Sequence, residues 1–264
     1  MMKKTWLAIM MMAFLPSSTV FAVRMTRLYQ AEIPVVSQLS DAREQAVRDG
    51  FLQVLTKVSG NEQIDKNPLI RASLKKAAYY VQDLNYALET PNASEYLLRI
   101  QFEPDDINRL LKQANIAIWG ERRPLILVWL VKKNKQDDME IIADETPGGI
   151  YKTMSNEGEK YGLPFIFPLM DVNEMSEITP QEVASFSVDS LKAAAKRYSP
   201  DAMLIGDMTE SDTGIQSKWQ LIMSNTQWRW QIAGDTDAAV VYSIVNQIKG
   251  ALIAQHSVKE KAHA

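Results

Sequence analysis

Cysteine is absent from the 264 residues, and histidine occurs only at His256 and His263. Without cysteine the chain has no thiol nucleophile, no disulfide and no sulfur ligand for zinc or an iron–sulfur cluster. Both histidines lie close to the carboxyl terminus, where chains commonly fray. A serine–histidine triad needs a histidine held inside the fold. These absences remove most common catalytic chemistries and leave carboxylates as the main candidates.

Nucleotide-binding motifs are also absent. The sequence contains no Walker loop, no G-x-G-x-x-G segment after a strand and no G-x-S-x-G nucleophile elbow. The formal net charge of −3 argues against nucleic acid, whose binding needs a basic surface. We therefore expect no cofactor and no nucleic-acid partner. The 46% hydrophobic and 23% charged residues are typical of a packed globular protein.

The first 22 residues have the pattern of an export signal. Lys3 and Lys4 precede the apolar run 6–15, and Val20 and Ala22 place small side chains at the positions that a signal peptidase reads. The run is shorter than the ~20 apolar residues of a membrane span, and no later segment reaches that length. We expect cleavage after Ala22, no lipid attachment because cysteine is missing, and a periplasmic or secreted product. The alternative is a retained membrane anchor.

Removal of the signal would leave 242 residues with a net charge of about −5, enough for one large domain or two small ones. A junction at 121–124, with the sequence Glu-Arg-Arg-Pro, favours two. We predict an amino-terminal α+β domain over 23–120, a carboxyl-terminal α/β domain over 121–256 and a flexible tail over 257–264.

Apolar periodicity predicts the elements of both domains. The first domain is expected to contain strands at 28–36, 79–88 and 96–102 and helices at 40–59, 69–78 and 105–114. The second is expected to contain strands at 125–131, 165–169 and 202–208, a hairpin, and helices at 150–161, 179–198 (with a break near Ser187) and 237–255. Short strand–helix–strand steps predict a parallel core with an antiparallel hairpin beside it. The fold class is therefore α+β or α/β, with two small domains and a mixed second sheet.

Tryptophans alternate along the hairpin. A turn at Asn225–Thr226 would place Trp219, Trp228 and Trp230 on one face, with Leu221 opposite Trp230. Such a row could stack a sugar, so the three tryptophans are candidate ligand-binding residues. Because the other face is polar and the last helix needs an apolar partner, the pattern favours a core face.

Three carboxylates lie close to the carboxyl ends of predicted strands: Asp144, Asp171 and Asp207. Ligands often bind at strand ends in open α/β sheets, so Asp171 and Asp207 are candidate ligand-binding or hydrolytic residues. Asp207 with Glu210 and Asp212 could hold a hard cation such as Ca²⁺. No EF-hand spacing is present, and a solvated turn with a helix-capping aspartate is favoured.

The chain resembles DUF2066, a family of exported bacterial proteins of unknown function. The resemblance rests on short segments in order along the chain: 55–61, 119–120, Arg123-Pro124, Trp129, 162–164, 168–171, Arg197-Tyr198, Asp201-Ala202 and Trp219. Tyr161 stands where the family often has an arginine. The resemblance implies no catalytic residues. The element order of the second half is also similar to envelope domains such as the amino-terminal domain of TolB and the penicillin-binding-protein activators, which serve as docking modules.

The sequence thus predicts a non-enzymatic adaptor of the cell envelope with a protein partner. A carboxylate-based hydrolase of envelope polymers, or a small-ligand or Ca²⁺-binding protein, are the alternatives.

Overall fold

A computed structural model describes residues 27–88, 96–120, 123–144, 146 and 149–262, with side chains described up to residue 255. The predicted export signal lies outside the described residues. None of the helices in the described part of the chain combines the length and apolar character needed to cross a bilayer.

The first half forms a three-stranded antiparallel sheet with helices against it. Its elements are β1 (Gln30–Val35), α1 (Ser40–Ser59), α2 (Pro68–Leu74), β2 (Val81–Leu88), β3 (Tyr96–Phe102) and α3 (Pro104–Gln113). The strand order is β1-β3-β2. The predicted apolar stripe of α1 is the core, because Phe51, Val54 and Leu55 are fully buried with Ile100 and Phe102 of the sheet.

The second half forms a six-stranded mixed sheet. Its strands are β4 (Ile126–Lys133), β5 (Met139–Ile142), β6 (Phe165–Ile166), β7 (Ala202–Ser211), β8 (Gly214–Met223) and β9 (Thr226–Gly234). The order is β5-β4-β7-β8-β9, with β6 also paired to β4. Strand β4 runs parallel to β6 and β7, whereas β8 and β9 are antiparallel. The predicted fold class is confirmed.

Helices cover the two faces of this sheet unequally. Helices α4 (Gly149–Tyr161) and α8 (Asp237–Ala262) pack on one face, where they share an apolar cluster with β4, β7 and β8. The short helices α5 (Val172–Glu177), α6 (Pro180–Ala184) and α7 (Val188–Ala195) belong to the other side, where α6 contacts β4, β5 and β7. Strand β4 is buried on both faces, as its continuous apolar run predicts.

Local signals explain where the elements begin and end. Thr179 and Glu182 form the predicted capping box at α6, with the Glu182 amide 3.3 Å from the Thr179 hydroxyl and the Thr179 amide 2.9 Å from the Glu182 carboxylate. The helical stretch after it divides near Ser187, as expected. The strand predicted at 165–169 ends at Ile166, since Pro168 has no N–H to donate to a sheet. Helix α8 continues to Ala262, beyond the predicted end at 255.

The hairpin turn differs from the prediction. The two turn residues are Ser224 and Asn225, so Trp219 faces Trp230 and Leu221 faces Trp228. Ser224 has a φ of 51°, the left-handed backbone that a two-residue hairpin turn needs at its first position. The predicted domain boundaries stay a prediction, and residues 121 and 122 of the junction lie outside the described part.

Candidate functional site

Asp171 is the amino-terminal cap of α5. Its carboxylate accepts the Glu174 amide at 3.0 Å and Nη2 of Arg197 at 2.9 Å. The hydrogen bond from Arg197, followed by the one from Glu174, lowers the pKa of Asp171. The side chain thus stays ionised and occupied by structural partners, which is the helix-capping role that the sequence favoured.

Glu174 extends this hydrogen-bond network and is more deeply buried than Asp171. It is 1% exposed and accepts the Tyr198 hydroxyl at 2.6 Å and the Met170 amide at 2.8 Å. Burial, and then the bond to Glu174, raise the pKa of Tyr198 to about 12. Arg197 lies 3.6 Å from the same carboxylate. These bonds fasten the segment after β6 to the residues that precede β7.

Asp207 lies in a different environment, inside β7. Its neighbours across the sheet are Val131 of β4 and Lys218 of β8. Burial raises the pKa of Asp207, and the charges of Lys218 and Lys133 only partly oppose this rise. Asp171 is bound to Arg197, five residues before β7 begins, whereas Asp207 is the sixth residue of β7. The structure therefore does not bring the two carboxylates together as an acid–base pair.

The side chains of the predicted acidic group, Asp207, Glu210 and Asp212, also point to different partners. Glu210 lies 3.8 Å from Lys132, and Asp212 lies 3.0 Å from Lys135. Successive odd and even positions of a strand point to opposite faces, so Asp207 and Glu210 cannot converge on one ion. Among the described residues, no group of three or more acidic, histidine or cysteine side chains is placed to hold a metal ion.

The three hairpin tryptophans line the core face. Trp219 is 1% exposed, and its indole N–H donates to the Ser217 hydroxyl at 2.9 Å. Trp228 and Trp230 are partly buried at the border of the same cluster, near α8. Little of the Trp219 ring is left to stack on a sugar, because α8 and α4 occupy that face.

The opposite face of the hairpin holds a groove of about 410 Å³. Its polar walls are Lys218 and Gln220 of β8 with Arg229 and Gln231 of β9, and Phe186 closes one side. Each polar pair lies directly across the two strands, Lys218 opposite Gln231 and Gln220 opposite Arg229. The two cations are therefore diagonal neighbours on one surface.

The groove carries positive charge that the fold leaves unbalanced. Within the described part of the chain, Arg229 makes no ion pair or side-chain hydrogen bond, and the charged neighbour of Lys218 is the half-buried Asp207. Gln220 is held by Gln227 through a 3.0 Å bond between their amides. Two cations, two amides and an aromatic wall suit an acidic group. The alternation along the hairpin places these residues on its polar face, but alternation carries no information on where helices cover that face.

A second polar cluster joins the turn after α1 to helices α4 and α8. The Tyr161 hydroxyl donates to Glu62 at 2.6 Å, and Lys249 of α8 forms an ion pair with the same carboxylate. The Lys249 amine also lies 4.0 Å from the centre of the Tyr161 ring and 2.9 Å from the Asn246 amide oxygen. These bonds have all their partners inside the cluster, so it serves to hold the turn after α1 against α4 and α8.

Buried cations lie beside this cluster. Lys57 is 1% exposed and donates to the backbone oxygen of Gln30 at 3.1 Å. Arg123 is fully buried and donates to the backbone oxygen of Lys57 at 3.0 Å. Burial lowers the pKa of both groups. They lie inside the protein and present no surface to a ligand.

The comparisons with known proteins cover the first half of the chain. A family model described as a domain of unknown function (DUF8605) matches residues 22–120, the region of the three-stranded sheet. No curated protein matches the chain.

The resemblance to DUF2066 is therefore wrong, because the matching family is a different one. Two of the segments behind this resemblance, 55–61 and 162–164, contain glycines that the local backbone conformation requires. Gly60 and Gly162 have φ values of 70° and 66°, which end α1 and α4 in the left-handed conformation that glycine favours. Such helix stops recur in unrelated folds, so they carry little information about ancestry. The matched family brings no assigned function.

Proposed function

We propose that this protein is an exported, non-enzymatic binding module of the bacterial cell envelope that holds an acidic segment of a partner protein in the β8–β9 groove. The observation that carries the proposal is the diagonal pair of cations Lys218 and Arg229 in this groove. Arg229 has no ionic partner among the described residues, and the charged neighbour of Lys218 is the half-buried Asp207. Charged side chains on protein surfaces usually have neighbours of opposite sign, and the chain as a whole is acidic. A basic groove on an acidic protein favours association with acidic groups.

The alternatives have less support. A hydrolase needs two carboxylates at a fixed separation around a bond, and Asp171 is occupied by Arg197. A Ca²⁺ site needs converging oxygens, and the described residues contain no such group. Export rests on the pattern of residues 1–22 alone. Sequencing of the amino terminus of the mature protein, expected to begin at Val23, would test it.

Photo-crosslinking in living cells tests the groove. Phe186 forms one wall of it and can be replaced by a photoreactive phenylalanine derivative with little change of shape. On illumination we expect an adduct with a different protein, whose crosslinked peptide is rich in Asp and Glu. Arg229→Glu should reduce the adduct about tenfold, because one charge reversal at a charged contact costs over 1 kcal/mol.

The matched control is Arg71→Glu. Arg71 is an exposed arginine of α2, far along the chain from the groove, so its reversal changes the net charge equally. The adduct should persist in this variant. An adduct that survives Arg229→Glu, or that disappears equally in both variants, would overturn the proposed groove.

A further inference from the structure

Strand β9 forms one of the two edges of the six-stranded sheet. It pairs with β8 on one side and, in the described part of the chain, no backbone hydrogen bond leaves its other side. It is nine residues long and contains no proline. Its register with β8 continues from Met223–Thr226 to Ile215–Gly234 without a bulge. Soluble proteins usually protect such edges with proline, charged side chains, bulges or a short strand. Of these, β9 has one charged residue, Arg229.

The hairpin geometry determines which groups of β9 face outward. In a two-residue hairpin the residues that flank the turn, Met223 and Thr226, form the first hydrogen-bonded pair, and the pairs then alternate. Trp228 and Trp230 therefore bond to β8. The backbone N–H and C=O groups of Gln227, Arg229, Gln231 and Ala233 point away from the sheet, and their side chains are exposed.

These outward groups are symmetric about Trp230. If a second β9 approaches antiparallel with a twofold axis at Trp230, Arg229 pairs with Gln231 of the other copy and Gln227 pairs with Ala233. On the core face Trp230 then meets its own counterpart and Trp228 meets Ile232, so partly buried apolar groups join across the axis. On the other face Arg229, the single charged residue of β9, lies opposite the neutral amide of Gln231 from the other copy.

Neighbouring registers fit less well. An axis at Arg229 places two arginines directly opposite each other, which is unfavourable for like charges. An axis at Gln231 or at Trp228 leaves one end of each strand without a partner. The central register uses the whole strand and satisfies all its outward backbone groups.

We infer that two copies of this chain pair through β9, antiparallel about Trp230, to form one continuous sheet across a symmetric dimer. The dimer would place two β8–β9 grooves on the same face, side by side. This inference does not depend on what the groove binds.

Paired cysteine variants test the register, because the chain contains no cysteine of its own. Arg229→Cys and Gln231→Cys are prepared separately and then mixed under mild oxidation. We expect a disulfide-linked dimer in the mixture and little in either variant alone, since each position faces the other across the axis. Circular dichroism of each variant checks that these exposed substitutions leave the fold intact.

A mixture of Arg229→Cys with Gln227→Cys is the register control and should give little crosslinking. Light scattering of the cysteine-free protein should show a dimer that dissociates on dilution, and Gln231→Pro should weaken it by removing an outward N–H. A monomer at all concentrations, equal crosslinking in every mixture, or species larger than a dimer would overturn the inference.

Discussion

Arg123 lies flat against Trp119, with its guanidinium carbon 3.4 Å from the centre of the ring, and both side chains are buried. Trp119 is anchored in turn by its amide, which donates to the backbone oxygen of Val58 at 2.8 Å. Arg123 reaches the next carbonyl back along α1, that of Lys57. The chain after the first sheet is therefore fastened to the end of α1 by a stacked cation and two hydrogen bonds to backbone oxygens.

Removal of this stack should destabilise the protein. Arg123→Ala loses the packing of the long side chain, the cation–π contact and the bond to Lys57, and we expect a loss of about 2–4 kcal/mol in the free energy of unfolding. Arg123→Met keeps most of the volume and removes a buried charge whose Nε and Nη1 have no hydrogen-bond partner. Its loss should be smaller. Urea unfolding measures both. A Met variant less stable than the Ala variant would contradict this account.

Gly206 is expected to tolerate no side chain. A Cβ at this position of β7 would clash with the Trp219 ring and lie 2.8 Å from Leu130, and both of these residues are buried in the same cluster. We expect Gly206→Ala to lower the free energy of unfolding by about 1–3 kcal/mol through overpacking.

The control is Gly250→Ala in α8, where a Cβ meets nothing within 4 Å. This change should stabilise the protein by about 0.5–1 kcal/mol, because alanine favours a helix interior over glycine. Thermal unfolding compares the two. Equal changes of the unfolding temperature in both variants would contradict a destabilising contact between the added methyl group and Trp219.

The loss of stability at acidic pH should depend on Glu62. Hydrogen bonds from Lys249 and then Tyr161 lower the pKa of Glu62. A carboxylate with a lowered folded pKa contributes stability that is present above its unfolded pKa, near 4.5, and is lost as the pH falls through the folded value. Glu62→Gln should therefore reduce stability at pH 7 and differ little from the original protein near pH 2. Denaturant midpoints across this range measure the effect, and a constant difference would exclude an ionic role.

Local signals predicted much of this fold because they report burial or capping directly. Alternation along β8 placed Trp219 and Leu221 inward, and the continuous apolar run of β4 required cover on both faces. The capping box at Thr179 fixed the start of α6. Strand β5 and helix α5 were missed, since segments of four and six residues are too short to show a period.

The candidate groove could not be predicted in the same way. Lys218 and Arg229 were assigned to a polar face, but whether a helix covers that face depends on contacts between distant segments. The register of the hairpin also depended on one residue, Ser224, adopting a positive φ that its side chain does not favour. A shift of the turn by one residue changed the partner of Leu221 from the predicted Trp230 to Trp228.

Asp207 should cost the protein stability at neutral pH. Burial raises its pKa, so the native state holds the proton more tightly than the unfolded chain does, and stability falls as the pH rises through the ordinary range of an aspartate toward the raised value. Asp207→Asn removes the buried charge while it keeps the size of the side chain, and we expect a higher unfolding midpoint at pH 7 and little change at pH 3. Asp171→Asn is the contrasting variant. The bond from Arg197 lowers the pKa of Asp171, so removal of the Asp171 carboxylate should destabilise the protein at pH 7. If Asp207→Asn destabilised the protein at pH 7 as Asp171→Asn does, the pairing of Asp207 with Lys218 would outweigh the cost of its burial.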